Sequence, residues 1–193
     1  MAHTMERFFM PCPDTPITDG IALALLKEVV NSGRKVMKNP EDYEARANIM
    51  WASSLSHNDL TGCGRSGILA VHQLEHAVSG KFDSVAHGAG LAVLFPAWMK
   101  YVKDAKPSRF AQFARGVFDV VEADDSLAAD LGIKALEDFY KEIGMSLKLS
   151  EFGIKKDDCH DLADLCTYRG KRTISGIVEL GYNELKEIFE MAI

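Results

Sequence analysis

SGILAVHQLEHAVSGKFDSVAHGAGLAVLFPAWMKYVK (residues 66–103) is the stretch whose reading decides the fold. Its apolar residues recur at three-and-four spacing, the period of one face of an α-helix, and it holds no alternating β-branched run. The pattern predicts a helix from about Ser66 to Ser79 that closes at Gly80, a loop through Lys81-Phe82-Asp83, and a second helix from about Ala86 to Lys103. Pro96 is expected to kink or locally break the second helix, because proline removes an amide donor and crowds the turn before it.

The same stretch carries three of the six histidines, His72, His76 and His87, spaced H-x₃-H-x₁₀-H-G. Residues four apart share one helix face, so His72 and His76 present two imidazoles together. Imidazole is the commonest transition-metal ligand. Glu75 lies about 100° round the helix from His76, which is a poor place for the general base of a zinc protease, and the spacing is not H-E-x-x-H. On spacing alone, a shared metal site and a set of ordinary hydrogen-bonded histidines both remain open. His57 and His160 take the ordinary reading, since only helix and loop residues adjoin them in the sequence.

Outward from this stretch the helical period continues. Ile17–Val36 reads as a helix, Asn39-Pro40 interrupts it, and Pro40 suits the first turn of the next, PEDYEARANIMWASSLSHNDL (40–60). Further helices fit Ser108–Val121, Ser126–Gly144, Lys155–Thr167 and Tyr182–Ala192, with irregular loops at Phe9–Pro16 and Gly170–Gly181. Trp51, Leu55, Phe95, Trp98, Phe110, Phe113 and Phe139 fall at helical spacing and are expected in the core. The fold class is all-α, a bundle-like single helical domain over residues 1–193.

A chain of 193 residues is long enough for one well-buried core and short for two domains. Hydrophobic residues make up 47% and charged residues 26%, as in ordinary globular proteins. The net charge of −6 argues against nucleic acid, whose phosphates need a basic field. No apolar run is long enough to span a membrane and no signal peptide is apparent, so a cytoplasmic location is expected. Cys12, Cys63, Cys159 and Cys166 form no C-x-x-C pair and read as reduced thiols. The basic turn Arg169-Gly170-Lys171-Arg172 has the charge to reach a phosphate, but reads as a solvated turn.

GILAVHQLEHAVSGKFDSVAHGAGLAVLFPAWMKY (67–101) resembles the histidine signature of the iron-containing alcohol dehydrogenases. AHTMERFF (2–9), the segment 40–60 and RGKRTISGIVELGYNELKEIFEMA (169–192) agree with the butanol-dehydrogenase-like branch, so the resemblance covers essentially the whole chain. It implies the C-terminal helical, metal-binding half of such an enzyme, a dehydroquinate synthase-like fold, with the α/β half that binds NAD or NADP absent. It implies His3, His72 and His87 as ligands of Fe²⁺, or alternatively Zn²⁺, and His76 as the catalytic residue beside the nicotinamide, handling a proton. The remaining family ligand, an Asp, falls two residues before Met1, and Glu6 matches the Glu that follows the first His. Implied partners are a small alcohol or aldehyde and either the nucleotide-binding half or a second copy, with no nucleic acid and no membrane. An apolar face is expected where the other half docks, and His3, so near a terminus, is expected to be weakly held. The alternatives are a helical chain that pairs with a separate nucleotide-binding protein, and a non-catalytic metal-binding or interaction protein derived from that domain.

Overall fold

The computed structural model describes residues 1–193 as nine α-helices. They are α1 (Ala2–Phe9), α2 (Pro16–Lys38), α3 (Tyr43–His57), α4 (Ala70–Lys81), α5 (His87–Val102), α6 (Pro107–Phe118), α7 (Asp125–Glu142), α8 (Asp158–Cys166) and α9 (Tyr182–Met191). Short 3₁₀ turns lie at Leu60–Gly62, Lys103–Ala105 and Leu149–Phe152, and the one β pairing is an isolated bridge between Ile174 and Leu180. The all-helical expectation holds. No helix is long and apolar enough to cross a membrane.

Local chemistry moves two helix starts from where periodicity puts them, and packing carries a third helix through a proline. α3 starts at Tyr43 rather than Pro40, because the Asp42 carboxylate accepts the Ala45 amide at 3.0 Å and caps the first turn there. α4 starts at Ala70 rather than Ser66. Before it, the Arg65 side chain is drawn to Asp19 and to the Arg7 carbonyl, and Gly67 lies against Met10, which keeps 65–69 irregular. α5 runs unbroken through Pro96. Its residues are apolar almost all round and nearly all buried, so packing outweighs the single lost hydrogen bond.

α5 threads a core of 41 buried residues fed by α1, α2 and every helix from α4 to α9. At one end Phe9 of α1 stacks on Phe110 with centroids 4.6 Å apart and meets the edge of Trp98 at 5.8 Å. Phe95, Trp98, Phe110, Phe113 and Phe139 are buried as expected. Trp51 is not: it is 65% exposed, and Leu55 is only half-buried. Both lie on α3, which packs on α2 and touches α1, so its far side faces solvent and presents Tyr43, Met50 and Trp51 there.

α1 is held firmly despite its position. Thr4, Met5, Glu6, Phe8 and Phe9 are all buried. Its last carbonyls, which have no partner within the helix, are taken by two arginines: Arg109 Nε donates to Phe8 O at 3.0 Å and Arg65 Nη1 to Arg7 O at 2.9 Å. Asp19 of α2 joins both guanidiniums. Burial alone would raise the Asp19 pKa, but the hydrogen bond and charge of Arg109, with Arg65 behind, hold it below the ordinary carboxylate range. The Arg109 guanidinium also sits 3.7 Å over the Phe8 ring.

The tightest helix crossing is α6 on α7, where a Cβ added at Gly132 would lie 2.4 Å from Ala114 Cβ and 2.9 Å from its Cα. Gly132→Ala is therefore expected to destabilise the fold by about 1–3 kcal/mol, because backbone has to move. Gly20→Ala, inside α2 with nothing within 4 Å, is expected to stabilise it by up to about 1 kcal/mol. Urea unfolding followed by circular dichroism measures both.

Candidate metal centre

The four histidines singled out by the sequence come together from three helices. His3 lies in the first turn of α1, His72 and His76 on α4, and His87 opens α5. Ring centroids are 4.3 Å apart for His3 and His72, 5.4 Å for His72 and His87, and 6.2 Å for His72 and His76. His76 stacks on His87 at 5.6 Å with 25° between planes.

His72 is 3% exposed, and one carboxylate sets its orientation. Glu6 Oε1 accepts the His72 backbone N–H at 2.9 Å and lies 3.4 Å from its Nδ1. An ionised carboxylate only accepts, so Nδ1 carries the proton and the lone pair sits on Nε2. That Nε2 is buried and has no hydrogen-bond partner. Leaving a buried acceptor unmet costs about 1–3 kcal/mol, and core histidines ordinarily avoid it.

His87 is built the same way. Its Nδ1 pairs with Glu75 Oε2, and the other Glu75 oxygen accepts from Ser79 Oγ. Glu75 is fully buried. Gly90 makes room for it: a Cβ there would come within 2.9 Å of Glu75 Cγ and Oε1. This gives Gly90 of His87-Gly88-x-Gly90 its physical reason, whereas Gly88 has nothing within 4 Å. The one cluster of ligand-type side chains whose donor atoms all lie within 4.8 Å of one another is Glu75, His76 and His87; the predicted set His3, His72 and His87 does not come that close. Both Glu75 oxygens are already engaged, however, so this carboxylate orients His87 rather than ligating.

His3 is half-buried, and its pKa is pulled down to about 4, first by burial and then by the nearby His72 and His57. It is neutral at neutral pH, as a ligand has to be. His72 and His87, each with Nδ1 set against a carboxylate, together with a neutral His3, are donors of the kind Zn²⁺ or Fe²⁺ takes. His57 is exposed as the sequence suggests, but it is not isolated: its ring lies 4.0 Å from that of His3. The contact arises where α1 crosses α3, pinned by Thr4 Oγ1 and Ser56 Oγ at 2.9 Å and by Arg7 on the Ser56 carbonyl, and no sequence spacing signals it. His160 is an ordinary exposed residue edged against Tyr182. His76 is exposed, at the mouth of a cavity shared with Gln73, Ala77 and Leu165.

The model of the Fe-containing alcohol dehydrogenase family, C-terminal, matches residues 1–193. The chain belongs to this family. It is 34% identical over 192 residues to the NADH-dependent butanol dehydrogenase A of Clostridium acetobutylicum, covering 98% of this chain and 49% of that protein. It is 30% identical over 181 residues to the NADPH-dependent aldehyde reductase YqhD of Escherichia coli, covering 94% of this chain and 45% of that one. Among solved structures, the Thermotoga maritima NADH-dependent butanol dehydrogenase A matches with a TM-score of 0.89 at 31% identity, over 98% of this chain and 49% of that chain. The chain thus spans about half the length of the family members it matches.

Glu6→Ala would leave the buried His72 amide without its acceptor. The expected loss of stability is about 1–3 kcal/mol, read as a lower urea midpoint in metal-free protein.

Proposed function

We propose that this chain is the metal-binding part of an NAD(P)-dependent alcohol dehydrogenase that interconverts small alcohols and aldehydes together with a nucleotide-binding half. The observation that carries this is the buried, unpartnered Nε2 of His72, aimed by Glu6 and flanked by the rings of His3 and His87. Relatives named for NADH-dependent butanol oxidation and NADPH-dependent aldehyde reduction support the reaction class.

In this reading His3, His72 and His87 hold Fe²⁺, with Zn²⁺ as the alternative. When bound, such an ion supplies a Lewis acid that polarises an alcohol or aldehyde oxygen. A nicotinamide bound by the other half would supply the hydride acceptor or donor. Glu6 and Glu75, each set against the Nδ1 of its histidine, leave the Nε2 atoms of His72 and His87 free and bring negative charge near them. His76, exposed and stacked on His87, takes up or gives a proton at a ring nitrogen, linking the substrate oxygen to solvent.

Metal content after anaerobic loading with Fe²⁺, or aerobic loading with Zn²⁺, tests the reading. About one ion per chain is expected in the wild type, falling below about a tenth in His72→Ala. Glu6→Gln should weaken binding roughly 10–100-fold. His76→Ala should keep the metal and, with the nucleotide-binding half supplied in cis or in trans, lower turnover of butanal by about 10²–10⁴. Equal metal content in wild type and His72→Ala would contradict the reading.

A further inference from the structure

A cavity of about 240 Å³ opens beside His76, walled by Ala77 and Gln73 of α4, by Leu165 and Cys166 of α8, and by Tyr168 and Arg172 in the turn that follows. Arg169 and Lys171 of that turn are exposed, as a solvated basic turn requires, but Arg172 points inward. Its Nε donates to Cys166 O at 2.7 Å and its Nη2 to Gln73 Oε1 at 2.9 Å, and the guanidinium lies 3.9 Å over the Tyr168 ring. All three partners are neutral.

That sets Arg172 apart. The other half-buried arginines each pair with a carboxylate: Arg7 with Asp59, Arg34 with Glu142, Arg65 and Arg109 with Asp19, and Arg115 with Asp125. Arg172 has no such partner, and Nη1 of its five-donor fork is uncommitted. A fixed, partly desolvated cation without a counter-ion is costly unless an anion arrives from outside.

The turn is built to hold this arrangement. Tyr168 (φ 50°) and Arg169 (φ 56°) are both left-handed, which side chains disfavour, and Gly170 (φ 75°) follows them. Hydrogen bonds from the Arg169 amide to Asp164 O at 2.7 Å, the Gly170 amide to Thr167 Oγ1 at 3.1 Å and the Arg172 amide to Thr167 O at 3.0 Å over-determine the strained path. Strain maintained in this way clusters at ligand clamps. The Cys166 thiol, pushed up to about 12 by burial, stays neutral and serves as apolar wall.

We propose that Arg172, seated on Tyr168, recognises the carboxylate or phosphate of a small molecule whose other end lies against His76. The apolar wall of Ala77 and Leu165 suits a short aliphatic spacer, and the guanidinium fork suits a planar carboxylate or a phosphate. The anion belongs either to a substrate with a terminal carboxylate or to the phosphate of the nicotinamide nucleotide. Its link to catalysis rests on the reading of His76 above, whereas anion binding itself does not.

The test is an NMR titration of the metal-free full chain at low salt with butyrate, 1-butanol and nicotinamide mononucleotide, observing the Arg172 side-chain N–H and the His76 ring. Butyrate or the mononucleotide is expected to bind at least about tenfold more tightly than butanol. Butyrate ahead of the mononucleotide assigns the anion to substrate, and the reverse order to cofactor. Arg172→Gln should remove the preference over butanol while leaving the circular dichroism spectrum and Zn²⁺ uptake unchanged, and Tyr168→Leu should weaken it. Equal affinity of all three probes for the wild type, or shifts confined to other residues, would overturn the proposal whatever the metal measurements give.

Discussion

The contact on which the site depends is the one between Glu6 and His72. A single buried carboxylate oxygen receives the His72 amide and faces its ring nitrogen, joining the first helix to the fourth. This contact fixes where α4 begins relative to α1, which tautomer His72 holds and which nitrogen is left over. Burying a carboxylate is tolerable only where donors meet it. The arginines on the last carbonyls of α1 and the stack of Phe9 on Phe110 keep α1 in the register that brings Glu6 there. His3, on the same short helix, comes into position as a consequence.

Glu75 repeats the device on the other side of the centre, with Ser79 holding its second oxygen and Gly90 leaving space for it. Two imidazoles from two helices are thus each aimed by a carboxylate from a different helix. Each carboxylate faces the Nδ1 of its histidine, so the negative charge lies behind the ring, on the side away from Nε2. His76 has no carboxylate hydrogen bond of this kind and faces solvent.

Much of this was legible in the sequence because helix period and histidine spacing are local signals. Eight of the nine helices, α1 excepted, the burial of Phe95, Trp98, Phe110, Phe113 and Phe139, and the nearness of His72 to His76 follow from three-and-four spacing. What stayed hidden depends on contacts between distant segments. Trp51 has the right period but lies on the solvent side of α3. Pro96 is expected to kink or locally break its helix, yet α5 runs unbroken through it because neighbours wrap it. His57 meets His3 only through a helix crossing, and Glu75, unsuited to act as a base, turns out to orient a histidine 12 positions onward. Arg172 reads as one more basic residue of a turn until its lack of a carboxylate is seen against the other half-buried arginines.

The central claim, that carboxylates behind the rings select the nitrogens presented at the centre, is tested most directly by long-range ¹H–¹⁵N correlation spectroscopy of the metal-free chain at neutral pH. The account predicts that His72 and His87 are neutral with the proton on Nδ1 and an unprotonated Nε2, and that in Glu6→Gln His72 loses this single tautomer. A His72 ring protonated at Nε2, or one that averages freely between tautomers in the wild type, would contradict it.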